Sequence, residues 1–202
     1  FSRLGHTFRE LRLHRQAFLL LVAFAIYNDG INTIIRMAGI YGAEVGVGQS
    51  QQIAAFAMVQ FLGVPFAFIF GGLGAKMGTK RAIFLALAVY AVAATLGFFM
   101  TNATHFFILA ALVATVQGGA QALSRSLFAR LIPPAKTSEY FGFYAVVERF
   151  ATVLGPLVFT LSGMLTGSSR SAVLGMIAFF VVGGWLLSRV DIEEGERAAR
   201  AG

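Results

Sequence analysis

Six runs of apolar residues, each long enough to cross a bilayer, decide what this chain can become. They lie at approximately 17–41, 53–75, 82–100, 106–123, 141–165 and 171–190, separated by short polar links. A helix needs about 20 apolar residues to span the hydrocarbon core, and in lipid every backbone N–H and C=O must be paired inside the segment. Six such runs therefore specify an all-α integral membrane protein, a bundle of six transmembrane helices. With 12% charged residues the chain falls well short of the soluble norm of about 25%, and no long polar stretch remains to form a soluble domain.

Lysine and arginine placement gives the orientation. Thirteen of these residues fall in the N-terminal segment, the second–third and fourth–fifth links and the C-terminal end from Arg189 onward, whereas the alternate links hold only Arg170. By the positive-inside rule both termini are cytoplasmic. Charge parcelled this way is a topology signal rather than a nucleic-acid patch, so the net charge of +7 implies no nucleic-acid partner. Two triplets of spans follow, and because three is odd the second is inverted relative to the first. A 3+3 inverted repeat is an arrangement on which many transporters are built.

The first span carries the costliest residues. Asp29 and Arg36 sit inside it, and insertion scales place such charges near a bilayer centre at about +2.5 to +3.5 kcal/mol each. At about 100° per residue Asp29, Asn32, Thr33 and Arg36 share one face, with Asn28 at its edge. Asp29 and Arg36 are separated by roughly 10.5 Å of rise, so Asn32 and Thr33 are the expected bridges between them. Two readings stand: a buried network locking helices together, or a stripe lining a water-filled path or binding site.

Other spans add polar groups. The second places Gly63, Ala67 and Gly71 four apart, a spacing that lets backbones approach closely. The fourth aligns Gln117, Gln121 and Ser124, with Gly118 and Gly119 beside them. The fifth buries Glu148 and Arg149, and Pro156 predicts a kink. Trp185 in the sixth is placed as an interface anchor. Residues 1–16 read as a cytoplasmic amphipathic helix on the headgroups, with Thr7 and Glu10 as a capping box, or as a basic linker. Residues 191–202 read as a charged cytoplasmic tail.

The link from Gly71 through Arg81 is the most specific local pattern. It resembles the loop signature of the major facilitator superfamily, with Gly71, Lys76, Gly78 and Lys80 matching. Ala75 stands where that family usually has Asp, and Thr79 where it usually has a base. The loop is either a latch between helices or a topogenic turn. Further likeness lies in Tyr27-Asn28-Asp29-Gly30, Thr33 to Ala38, Gln117-Gly118-Gly119-Ala120-Gln121, Ser124-Arg125-Ser126, Pro133-Pro134 and Glu139 to Tyr144. Over nearly the whole chain these stretches resemble the C-terminal half of the vacuole-effluxer-like branch of that superfamily. The resemblance implies a twelve-helix parent, of which these are helices seven to twelve. It also implies export of a small solute, amino acids being the class suggested.

On that reading the site lies near the midplane, where the first, fourth and fifth spans converge. Its candidates are Asn28, Asp29, Asn32, Arg36, Gln117, Gln121, Glu148 and Arg149. Arg36 or Arg149 is expected to hold a carboxylate, and Asp29 or Glu148 to couple to a proton. Alternatively Glu148 and Arg149 pair with Arg36 and Asp29 as a gate or lock. The expected partners are the lipid bilayer, a small-molecule solute, and either an N-terminal six-helix half or a second copy, since half a transporter cannot enclose a pathway. The sequence starts at Phe1 rather than Met, which suits a chain cut from something longer. The expected location is the bacterial inner (plasma) membrane.

Other classes fare worse. The absence of cysteine removes disulfides, thiolate metal sites and cysteine catalysis, and three scattered histidines give no metal spacing, so no metal or cofactor is expected. A rhomboid-type protease needs a Gly-x-Ser-Gly turn and a His on another span, and neither pattern is present. A channel would show a ring of like charges or a filter repeat. A non-transporting scaffold or receptor, whose polar stripes only join helices, remains the alternative to a transporter.

Overall fold

The computed structural model describes residues 10–201. Among them the expected spans appear as α1 (Arg15–Glu44), α2 (Gln49–Met77), α3 (Thr79–Phe98) and α4 (Ala103–Arg130), followed by α5 (Thr137–Phe150), α6 (Leu154–Thr166) and α7 (Ser169–Ser188). A terminal helix, α8 (Ile192–Ala201), closes the described chain. Six stretches are long and apolar enough to cross a membrane, with α5 and α6 together forming the fifth. Phe61, Phe68 and Leu165 stand about four-fifths exposed on the outside, a surface that suits lipid and not water.

The two triplets are related by their packing. Extensive contacts join spans one and six, three and four, three and six, and five and six, with a smaller one between two and three. Exchanging the first triplet for the second returns the same set. The two–four contact is the most extensive, and its counterpart between one and five is much sparser. Its closeness comes from small residues: a Cβ on Gly118 would lie 3.0 Å from that of Ala67, and one on Gly119 would run into Phe70. On α2 the tight face runs through Ala67, Phe70 and Gly74, while Gly63 touches it only through its carbonyl, 3.6 Å from a Cβ on Gly118. Gly71, expected on it, faces open space because a straight helix advances by 3.6 residues per turn and drifts off a strict four-residue repeat.

The fifth span departs most from expectation. In place of one kinked helix over 141–165, the backbone leaves helical geometry between α5 and α6. Pro156 explains it: the ring would clash with the carbonyl four residues earlier, at Thr152, and the missing N–H cannot complete a turn. The helix restarts so that Pro156 falls within the first turn of α6, where no intrahelical donor is required. The Thr152 hydroxyl donates to the Arg149 carbonyl at 2.8 Å and covers part of the broken end.

At the end where residue 10 lies, the expected charged tail is a docked helix. Asp191 accepts the Glu194 N–H at 3.0 Å, which caps α8. The Gln16 amide donates to Glu194 at 2.6 Å and accepts from the Asp191 N–H at 2.9 Å, and Arg130 reaches Glu196 at 2.8 Å. The segment expected to be interfacial falls mostly outside the described residues, Thr7 of its capping box included. Residues 10–13 are helical, bend at His14, and bury Leu11 completely.

A candidate site at the break in the fifth span

The polar face of α1 meets two different helices, α6 and α4. Asp29, 1% exposed, accepts the backbone N–H of Gly155 through Oδ2 at 2.7 Å. That N–H belongs to the first turn of α6, one of the donors that a helix leaves without an intrahelical partner. Aligned peptide dipoles make this end positive and favour a carboxylate there. Position 155 has to be glycine, because a Cβ would lie 2.8 Å from Asp29 Oδ1 and collide with Thr33 Oγ1. Asp29 Oδ1 and Thr33 Oγ1 are buried and without a hydrogen-bond partner.

Next to it, α1 is stitched to α4. Ser124 donates to the Ala120 carbonyl at 2.6 Å, so its single proton is committed and Tyr27 donates to Ser124 Oγ, also at 2.6 Å. Asn28, fully buried, accepts from Gln121 at 3.3 Å, and its carbonyl accepts from Asn32 at 2.8 Å. One helical turn along α4 from Gln121, Arg125 grips Glu148 of α5 at 2.8 and 3.0 Å. Each half of the fifth span thus has its own anchor, α5 on α4 and α6 on α1. Tyr144 stacks on Phe24 at 4.5 Å and meets Phe128 at 5.0 Å, joining the three elements in an aromatic core.

Several expectations need correction. Arg36 is not buried: it lies exposed, because the N-terminus of α6 covers α1 only around Asp29 and Thr33. Asn32 and Thr33 do not bridge it to Asp29. Glu148 pairs with Arg125 in place of Arg36, and Arg149 is exposed instead of joining Asp29. Adjacent residues point about 100° apart on a helix, so only one of Glu148 and Arg149 can face α4. Gln117 and Gln121 are half-buried, and Gln117 Oε1 has no partner.

Sequence reasoning missed Arg125, which it placed in a basic link, and the roles of Tyr27, Ser124 and Gly155. It also missed a cavity of about 100 Å³, walled by Ile34, Met37, Phe56, Val113 and Phe159 and almost wholly apolar, with Gln117 as a polar group on its wall. No spacing signal marks such a cavity, since its wall combines residues from every span.

In the expected loop signature, α2 and α3 are joined through Gly78 alone, at φ +91°, which glycine adopts without strain. Lys80 donates to the Ser188 and Val190 carbonyls at 2.9 and 2.7 Å, tying α3 to the end of α7, while Lys76 is exposed. Lys80 thus clamps α3 to the end of α7 through backbone carbonyls.

Six spans in two exchangeable triplets, with an internally broken fifth span, define one half of a major-facilitator-type membrane fold. The chain belongs to the family described as Vacuole effluxer Atg22 like, which matches residues 1–200. That family is one of transporters and not of enzymes. The chain is 40% identical over 193 residues to the MFS-type transporter YxiO of Bacillus subtilis (strain 168), covering 96% of this chain and 45% of that protein. It is 27% identical over 203 residues to Autophagy-related protein 22 of Yarrowia lipolytica, covering 96% of this chain and 34% of the relative. To the protein of that name in Saccharomyces cerevisiae (strain ATCC 204508 / S288c) it is 25% identical over 217 residues, covering 97% and 39%. The chain thus spans less than half the length of these relatives.

Proposed function

We propose that this chain is the C-terminal half of a secondary active transporter that exports a small polar solute, amino acids being the expected class, by alternating access. A six-helix partner half, or a second copy, completes the pathway. The protein sits in a bacterial inner membrane with both termini cytoplasmic.

The bond from Gly155 N–H to Asp29 carries this reading. A carboxylate on one span holds the start of a half-helix on another, across a break that Pro156 keeps open. Protonation removes the charge that the positive helix end favours, so the bond joining α6 to α1 weakens and the half-helix is freed to move. Proton uptake is thereby linked to rearrangement of the fifth span. Exposed Arg36 and Arg149 are left to hold an anionic group of the solute, a role closed to Arg125 and Glu148 by their mutual pairing.

Transport by the full-length protein in proteoliposomes tests this. Asp29→Asn should abolish uphill transport driven by a proton gradient and retain counterflow exchange of labelled solute. Proton-driven accumulation equal to wild type would exclude Asp29 as the coupling group. Undiminished solute affinity in both Arg36→Ala and Arg149→Ala would exclude the anion-holding role.

A further inference from the structure

The outer side of the seam between α3 and α7 joins a charged end to an apolar surface. The two helices are antiparallel. Lys80 at the start of α3 reaches the carbonyls of Ser188 and Val190 at the end of α7, and at the opposite end a Cβ on Gly97 would lie 3.3 Å from Val173. One helical turn in from the Lys80 end a Cβ on Gly184 would lie 3.6 Å from Phe84.

When two antiparallel right-handed helices face each other, the residue following each seam residue turns to the same side of the seam, about 100° further round. Arg81 and Leu85, which follow Lys80 and Phe84, therefore share one outer face with Trp185 and Arg189, which follow Gly184 and Ser188. All four are exposed. The Arg189 guanidinium stands over the Trp185 ring, 5.0 Å from its centroid. Further from this end the same face continues through Val92 and Val181, each more than half exposed. Asp191 sets its charge against Lys80, which leaves the two arginines as the positive charge of the face.

We propose that this face binds an anionic phospholipid, with its phosphate between Arg81 and Arg189 and its acyl chains along Leu85, Val92 and Val181. The charge sequence matches the ligand: two guanidiniums at the headgroup level, an indole at the boundary where tryptophan prefers to sit, and only hydrocarbon beneath. Guanidinium forks suit phosphate oxygens, and Arg189 is pre-oriented by its stacking on Trp185. A bound lipid would brace the seam beside the Lys80 clamp.

The test uses the full-length protein in detergent, with thermal stability followed on adding phosphatidylglycerol or phosphatidylcholine, and lipid retention read by native mass spectrometry. Phosphatidylglycerol should raise Tm more than phosphatidylcholine does. The double variant Arg81→Gln/Arg189→Gln should abolish that difference and the retained lipid, Arg81→Lys/Arg189→Lys should keep most of both, and Lys76→Gln, an exposed charge in the same link, should change neither. An undiminished Tm difference in the glutamine variant overturns the proposal, as does an equal loss in Lys76→Gln. So does full reproduction of the shift by glycerol phosphate, which would make the patch a soluble-anion site.

Discussion

The carboxylate of Asp29 and the backbone N–H of Gly155, 126 residues apart in the chain, meet at 2.7 Å and join the first span to the second half of the fifth. Gly155→Ala should disrupt this contact from the α6 side, because the added methyl group meets Asp29 Oδ1 and Thr33 Oγ1. Overpacking of this kind costs about 1–3 kcal/mol. Asp29→Ala should cost a similar ~1–3 kcal/mol by stranding a buried donor. Unfolding in mixed detergent should show the two losses to be strongly non-additive in the double variant, since each breaks the same bond.

The Tyr27–Ser124 hydrogen bond is buried and joins α1 to α4. Interhelical hydrogen bonds in membranes average about 0.6 kcal/mol and reach about 1.7. A double-mutant cycle of Tyr27→Phe and Ser124→Ala should return a coupling energy in that range. Zero coupling would show that Ser124 serves α4 alone through Ala120.

The seam between the second and fourth spans distinguishes two glycines. Gly119→Ala should lower thermal stability, because its methyl group is driven into Phe70. Gly71→Ala meets nothing and should be neutral or stabilising by up to about 1 kcal/mol, the helix-propensity gain. Thermal scans of the two variants side by side decide the matter.

His14 confers a pH dependence on the end that carries α8. It lies edge-on to Tyr140 at 6.0 Å, close to the Lys136–Glu10 ion pair. Burial, and then the charge of Lys136, hold its imidazole below the ordinary value of 6.5, with Glu10 opposing in part. The folded protein thus takes up this proton less readily than the unfolded chain. The His14 contribution to stability is complete above 6.5 and is lost as pH falls towards the lowered folded value. Tm recorded between ~pH 8 and ~pH 5 should fall less in His14→Gln than in wild type.

Much of the architecture was legible because the bilayer imposes it. Apolar length fixed the spans. The cost of a charge in lipid singled out Asp29, which does lie at the junction of spans one and five. Arg36 carries the same cost on paper, yet it is exposed, because a hydropathy argument assumes that lipid surrounds a residue and cannot see a face left open. Glu148 was expected to look towards α1 and instead holds Arg125, since neighbouring residues on a helix compete for one direction.

The sequence by itself determined that this is a six-span bundle of two triplets, that Pro156 disturbs the fifth span, and that buried polar groups gather on the first and fourth. Hydrophobic length, proline geometry and charge cost are local quantities, readable one segment at a time. Only the tertiary structure decided that the disturbance is a full break, that the new helix start is capped by a carboxylate from the first span, and that each half of the broken span is anchored to a different helix. Those outcomes rest on contacts between residues 23 to 126 positions apart, and which distant group reaches an open backbone donor is set by how whole helices pack.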